Sequence, residues 1–456
     1  MSNSPELAGP GEKQPVELKR VLGLWALVAF GVGDILGSGV YALVGKIAGT
    51  VGPAAWISYV VAAVLAGLTG FTYAELTSRF PKAGGAAHYT QEIFRNSFIT
   101  FLVIFFVALS GLFSFATASH TFAQYALHFM EGEPGILQNY LMPLMFVLVV
   151  GYVTARGILL SSFANVICSI IEVAALAIII VLGLRFLGNV NYLEFAPVPD
   201  TQSFGTAGLV MSTAAVAFFA FIGFEDMANL AEEAKDPQRS LPIAICLAIV
   251  ITSIIYILIV LVAVSVVPYT ELRDSTAPLI LVLQRAAPGF PEQIYSIVPA
   301  FAVFNTGLLN LLMASRLLYG MARGPKGQLP RVLAYVHPKW QTPVIALVLA
   351  ALIVVAMVCS TANVSTLANG TTTFLLIVFA LLHLGLIVAK RRKIGDDPRF
   401  RIPAVIPVLG GLLCVTLLFS RDVEYYIVAA WLTIPAVLLF IINWFFLGRR
   451  TVEAVE

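Results

Sequence analysis

Gly31-Val32-Gly33-Asp34-Ile35-Leu36-Gly37-Ser38-Gly39-Val40 interrupts an apolar stretch that runs from about residue 21 to residue 47. A stretch of that length crosses a bilayer. Glycine alone would mark only close helix packing, but a Gly37-Ser38-Gly39 triplet is denser than packing requires, and Asp34 lies one turn before Ser38. Non-helical backbone survives at membrane depth only where protein or a water-filled cavity satisfies it. The stretch therefore predicts a discontinuous membrane helix, unwound at residues 37–40 and bordering a cavity.

The rest of the composition agrees with a membrane solvent. Apolar residues make up 59% of the 456 and charged residues 11%, with a mean hydropathy of +0.92. A soluble domain carries about 25% charged residues. The net charge of +2 gives no reason to expect a nucleic-acid partner. Cys168, Cys246, Cys359 and Cys414 all lie in apolar stretches without metal-ligand spacing, and are expected to be small buried hydrophobes. Residues 1–20 are polar, lack the apolar core of a signal peptide, and are expected to form a disordered cytoplasmic tail.

Twelve apolar segments separate, near 21–47, 53–78, 97–128, 138–155, 161–187, 206–230, 241–267, 293–321, 342–360, 364–389, 402–420 and 425–447. With the N-terminus in the cytoplasm, most lysines and arginines fall on one side. They include Arg79, Lys82, Arg95, Arg156, Lys235, Arg239, Arg316 and Arg323. The dense run of Lys390, Arg391, Arg392, Lys393, Arg399 and Arg401 joins them, followed by Arg449 and Arg450. Only Arg185, Arg273, Arg285 and Arg421 fall opposite, and Lys46, late in the first segment, is expected to snorkel outward. This asymmetry predicts cytoplasmic termini, with a short tail at 448–456.

Segments 1–5 and 6–10 fill similar lengths, 21–187 and 206–390, leaving 402–447 for two further helices. Five is odd, so a second block that repeats the first sits inverted, with a binding site at mid-bilayer where broken helices meet. The sixth segment carries the corresponding interruption, Phe218-Phe219-Ala220-Phe221-Ile222-Gly223-Phe224-Glu225. An unwound first break offers amide N–H groups and a helix N-terminus, which suit a carboxylate. An unwound stretch from Ala220 to Gly223 offers carbonyls, which suit an ammonium group. Together they describe a site for a zwitterion such as an amino acid.

Asp34, Glu172 and Glu225 lie well inside apolar segments, where a charge costs about 2.5–3.5 kcal/mol on insertion scales. That cost argues for function or for a neutral, protonated state. Asp34 accepts a substrate amine, binds a proton, or ties loose backbone; Glu225, beside the second break, is the better proton carrier. Glu172 belongs to a helical stripe with Ser162, Asn165 and Ser169, suited to interhelical hydrogen bonds or to a proton relay. Further stripes run through Ser110, Ser114, Thr117 and Thr121, through Asn305, Thr306 and Asn310, and through Thr366, Asn369 and Thr373. Ser110, Ser114, Asn305, Asn310 and Asn369 are the candidates to line a cavity, with interhelical bonding the alternative.

Five pieces in order resemble amino-acid permeases of the amino acid–polyamine–organocation superfamily. They are the stretch from Gly33 to Val40, that from Tyr73 to Ala86 (Tyr-Ala-Glu-Leu-Thr-Ser-Arg-Phe-Pro-Lys-Ala-Gly-Gly-Ala), and that from Phe219 to Glu225. The fourth runs from Ala231 to Pro242, and the fifth from Ala314 to Arg323, with Leu329-Pro330 and His337-Pro338 after it. The resemblance implies an all-α membrane protein with a core of ten helices in two inverted five-helix repeats and two peripheral helices. It implies that Ser38 and Gly39, with Val40 beside them, bind a substrate carboxylate. Carbonyls of Ile35, Phe219 and Ile222, beside Ala220, would bind its amino group, with Phe219 as an aromatic gate. Some proton-coupled relatives carry a lysine on the fifth helix in place of a sodium ion; aligned on Arg156-Gly157, that place is Phe163, which shifts coupling toward the acids. Asp34 stands where relatives carry a neutral residue, which favours amines or cationic amino acids. The 324–327 loop is about two residues longer than usual for the family.

The expected function is a secondary active transporter of an amino acid across a plasma or bacterial inner membrane, driven by protons; an amine or polyamine exchanger without proton coupling is the alternative. No enzyme is expected: the sequence has no His-Glu-x-x-His pair and no phosphate-cradling glycine loop, and its five histidines are scattered. Neither metal nor cofactor is expected.

Overall fold

The computed structural model describes residues 20, 22–82, 84–130, 135–198, 204–290, 297–323, 329–360, 363–421 and 426–441, less residues 428, 435, 436 and 439. The two tails and the 324–327 loop fall outside the described residues. The protein is all-α. Its helices are α1 (Leu24–Ile35), α2 (Ser38–Val51), α3 (Ala55–Arg79), α4 (Gly85–Phe94), α5 (Ser97–Phe129), α6 (Met142–Ala155), α7 (Ile158–Gly183) and α8 (Gly205–Ala217). There follow α9 (Pro237–Val266), α10 (Tyr269–Asp274), α11 (Pro278–Ala286), α12 (Val298–Arg323), α13 (Val344–Ser360), α14 (Val364–Arg392) and α15 (Val405–Phe419). Among the described residues, eight helical segments are long and apolar enough to cross a membrane, and α1, α13 and α15 are shorter apolar helices. The connections include short helices, α4, α10 and α11, in stretches that the sequence marks only as loops.

The first apolar segment divides into α1 and α2 at Leu36-Gly37, and the sixth divides after α8. There the chain turns into 3₁₀ backbone over Phe218–Phe221, extends at Ile222, and continues as a second 3₁₀ stretch over Phe224–Leu230. The second half of this segment is thus a tighter, narrower coil than an α-helix. Gly223 makes the turn possible, with φ of 132°, in a region that side chains avoid.

Packing holds the breaks between two long scaffolds. α3 lies along α9, and α5 lies along α12 and α14, while α1 packs on α9 and α7. Small residues permit close approach: a Cβ at Gly31 would lie 2.3 Å from the Met227 sulfur, and one at Gly33 would lie 2.1 Å from Ser169 Oγ. The outer surface is apolar, with Leu148, Tyr152, Ile170, Val181, Leu352 and Leu412 exposed, as lipid rather than water demands.

One end of the bundle gathers the basic run 390–401. There the buried Glu75 accepts from Arg79 Nη2 at 2.8 Å and from the Ile402 amide at 2.9 Å, and pairs with Lys390 Nζ at 2.6 Å. Deleting one partner of such a group costs about 3–5 kcal/mol, so this cluster pins α3 to α14 and to the loop after it. At this basic end too, the Leu22 amide donates to the Glu233 carbonyl and the Lys235 amide to the Leu22 carbonyl, each at 3.0 Å. The chain entering α1 is thereby tied to the chain leaving the second break. Of the cysteines, Cys168 and Cys414 are buried and Cys246 half-buried, but Cys359 is exposed near the end of α13. The lipid-facing surface there accepts a small apolar side chain as readily as the core does.

Candidate functional site

The two breaks face each other. A Cβ at Gly39 would lie 2.6 Å from Ala220 Cα, and one at Gly223 would lie 2.7 Å from the Asp34 carbonyl oxygen. The backbones therefore touch at two points, and the glycines serve this contact between breaks as well as any ligand. Between the contacts lies a central cavity of about 40 Å³, room for a few waters. Its wall includes Asp34, Ile35, Gly37, Ser38, Gly39, Phe219, Ala220, Ile222, Gly223 and Glu225 from the breaks, with Ser110 and Ser114 from α5 and Asn310 from α12.

The first-turn amides of α2 have no intrahelical partner. That of Ser38 donates to Thr306 Oγ1 of α12 at 2.9 Å. One of the donors expected for a carboxylate is therefore already used, and Thr306 is a cavity residue that orders the break. Ser38 Oγ remains buried with no hydrogen-bond partner among the described residues. Tyr256 of α9 supplies the other link, its hydroxyl lying 2.7 Å from the Ile35 carbonyl oxygen and 2.9 Å from that of Ala220. Its ring packs edge-on against Phe221, with centroids 5.2 Å apart. A carbonyl oxygen has two lone pairs, so each of these acceptors keeps capacity for a second donor. Nothing in the local sequence singles Tyr256 out, because only the third dimension brings α9 behind both breaks.

The acidic wall is larger than the sequence suggests. Asp34, Glu225 and Asp226 all line the cavity, which has no lysine, arginine or histidine among its described lining residues. Glu225 Oε2 accepts the Gly223 amide at 2.9 Å, reaching back to the start of its own 3₁₀ stretch. Asp34 Oδ2 is buried without a partner among the described residues. Glu225 and Asp226 also line a second small cleft that reaches Gly84, Gly85 and Ala87 toward the basic end.

Four expected residues lie elsewhere. Val40 is fully buried and does not line the cavity, because the helical turn begun at Ser38 rotates it into the core. Asn305 is buried with its Nδ2 3.3 Å from the Gly33 carbonyl, bracing α1 from behind. Asn369 lies under a different cavity near the opposite end, where its Oδ1 accepts from Arg421 Nη1 at 2.6 Å. Arg421 Nη2 also donates to the Ala215 carbonyl at 2.8 Å, which ties the chain just beyond α15 to α8. Glu172 is fully buried, outside the cavity lining, with neither carboxylate oxygen partnered among the described residues. In its stripe, Ser169 bonds back to the Asn165 carbonyl at 2.9 Å; the side chains of Ser162 and Phe163 lie outside the described residues. Among the described residues, no group of three or more His, Cys, Asp or Glu side chains is placed to hold a metal ion.

The family model described as amino acid permease matches residues 22–449. The chain is 27% identical to the methylthioribose transporter of Bacillus subtilis (strain 168), over 93% of each chain. It is 29% identical to the branched-chain amino acid permease BcaP of the same organism, over 95% of this chain and 94% of that one. It is 32% identical to the chloroplastic cationic amino acid transporter 9 of Arabidopsis thaliana, over 70% of this chain and 58% of that protein.

Proposed function

The chain belongs to the amino acid permease family, and from that membership we propose that it carries an amino acid across a cell membrane by alternating access. The observation that carries the proposal is the apposition of Ser38 and Gly39, at the start of α2, with Phe219, Ala220 and Ile222 across one cavity. The partial positive charge of the α2 N-terminus and the unpartnered Ser38 hydroxyl suit the substrate carboxylate. Carbonyls of Ile35, Phe219 and Ile222 suit its ammonium group, and Phe219 suits a gate. The small cavity volume fits a closed state that must widen to admit substrate.

Coupling is assigned to protons moved by Glu225, assisted by Asp34. Both border the breaks, and Glu225 also borders the cleft toward the basic end. A carboxylate that meets a different solvent in each state changes its protonation with access. Sodium is dispensable in this scheme. Cytoplasmic termini follow from the basic end. A second reading, exchange of amines or polyamines without proton coupling, is favoured by the three carboxylates on a wall without cations among its described residues. The same wall favours substrates like those of the cationic amino acid transporters over those of the branched-chain permease.

Uptake by proteoliposomes, with and without an inward proton gradient, tests the proposal. Labelled amino acids and a diamine are the substrates. Gradient-stimulated accumulation of an amino acid is the expected result. Competition by the diamine with no response to the gradient favours exchange, and failure of every amino acid to enter overturns the assignment.

A further inference from the structure

At the end of the bundle opposite the basic run, a second cavity of about 420 Å³ opens between α2, α8 and α14. It is some ten times the volume of the central one and within the range of ligand sites, about 300–1,000 Å³. Its described lining contains Lys46, Arg273 and Arg421 and no carboxylate. Thr50, Ser212, Thr213 and Ser365 add hydroxyls to a wall that Ile47 and Val216 also line. Arg273 is paired through Nε with Asp274 at 3.0 Å, and Arg421 is held by Asn369 and Ala215. Lys46 has no ion pair among the described residues. It sits on a membrane-spanning segment, where an ionisable group calls for a partner. Lys46, expected from the sequence to reach outward, lines this cavity.

The position of this cavity gives it a purpose. Lys46 stands eight residues beyond Ser38 on α2, about 12 Å along the helix axis. Val216, on the cavity wall, precedes Phe219 by about one turn, since 3.6 residues make a helical turn. The cationic cavity thus lies directly outside the central site on both broken segments. We infer that it is a docking site for a carboxylate, in which Lys46, with Arg273 beside it, first captures the carboxylate of a solute bound for the centre. Its service to transport rests on the function proposed above, but its affinity for a carboxylate does not. Opposite charge in a walled cleft raises local ligand concentration and on-rate.

Thr50→Cys in a Cys359→Ser background supplies a reporter in the cavity wall, one turn from Lys46. The purified protein is treated with an anionic and a cationic methanethiosulfonate of similar size, at low ionic strength. The anionic reagent is expected to react about tenfold faster, as cleft focusing allows. Acetate and L-alanine should slow it, while L-alaninol, which lacks the carboxylate, should not. Lys46→Gln should remove most of the advantage of the anionic reagent, slowing it and quickening the cationic one, and Arg273→Gln should do so less, since Arg273 already pairs with Asp274. Equal rates for the two reagents, or no protection by acetate, would overturn the inference. Protection by inorganic phosphate but not by acetate would overturn the carboxylate assignment. The rates are read without transport, so a protein that moves no amino acid yet shows this protection sinks the proposed function and leaves the docking site standing.

Discussion

Tyr256→Phe removes one oxygen atom and leaves the ring where it packs, against Phe221 and 6.3 Å from the Tyr59 ring. That oxygen lies 2.7 Å from the Ile35 carbonyl oxygen and 2.9 Å from that of Ala220. A phenol has a single proton, so the two contacts share one donor, and the loss is nearer one buried hydrogen bond than two. One such bond contributes about 0.5–1.5 kcal/mol net, but deleting the donor so that a buried carbonyl is left unsatisfied costs about 1–3 kcal/mol. No cavity forms, since the ring stays. The cost is therefore about 1–3 kcal/mol, borne where the two breaks meet. The loss of stability lowers the unfolding temperature of the purified protein. Because Tyr256 also fixes the Ile35 carbonyl that the proposed site offers to the substrate amine, affinity should fall by at least about tenfold, the equivalent of 1.4 kcal/mol. Thermal unfolding and equilibrium binding of a transported amino acid on the same preparation check both effects. Wild-type melting and wild-type affinity together would refute the idea that Tyr256 holds the breaks. Reduced stability with unchanged affinity would refute its link to the substrate.

Three further outcomes are expected. Gly39→Val forces a branched side chain against Ala220 Cα, which lies 2.6 Å from even the first added carbon. Overpacking of about 1–3 kcal/mol should lower the melting temperature along with binding, and Gly39→Ala should do the same more mildly; intact binding in both would show that the breaks separate freely. Glu225→Gln keeps an acceptor for the Gly223 amide, so the protein should fold and exchange substrate but lose its response to an inward proton gradient; if gradient-driven accumulation persists, Asp34→Asn is examined next. Single cysteines placed between residues 390 and 401 should resist impermeant thiol reagents applied to intact cells, and ready labelling from outside would invert the topology.

The helix breaks were legible because glycine density and a buried acid are local signals. Gly37-Ser38-Gly39 and Gly223 need no partner to declare that a helix stops. Ser110, Ser114 and Asn310 were legible as polar stripes on apolar helices, and they line the central cavity. Asn305 and Asn369 carry the same signature yet bond to Gly33 and to Arg421, since periodicity gives a face without naming its neighbour. Asp226 follows Glu225 directly, so an α-helix would turn it about 100° away, and the 3₁₀ backbone here turns it about 120°. Both acids line the cavity all the same, a placement that no local signal announces. Tyr256 reaches the Ile35 carbonyl 221 positions away and Thr306 the Ser38 amide 268 positions away, relations without any sequence pattern.

The tie between Leu22 and the Glu233–Lys235 segment is made only of backbone groups. Exchange of any of these side chains for another leaves its donors and acceptors in place. Random substitution at these positions is therefore nearly silent for the fastening at the basic end, whereas imino-acid replacement at Leu22 or Lys235 deletes a donor outright. Insertion of one residue between Leu22 and Gly31 would turn α1 about 100° against its anchorage. The fastening is robust to drift in composition and fragile to change in chain length. Genetic screens built on point substitutions would consequently overlook it, and those that sample insertions, deletions and prolines would find it.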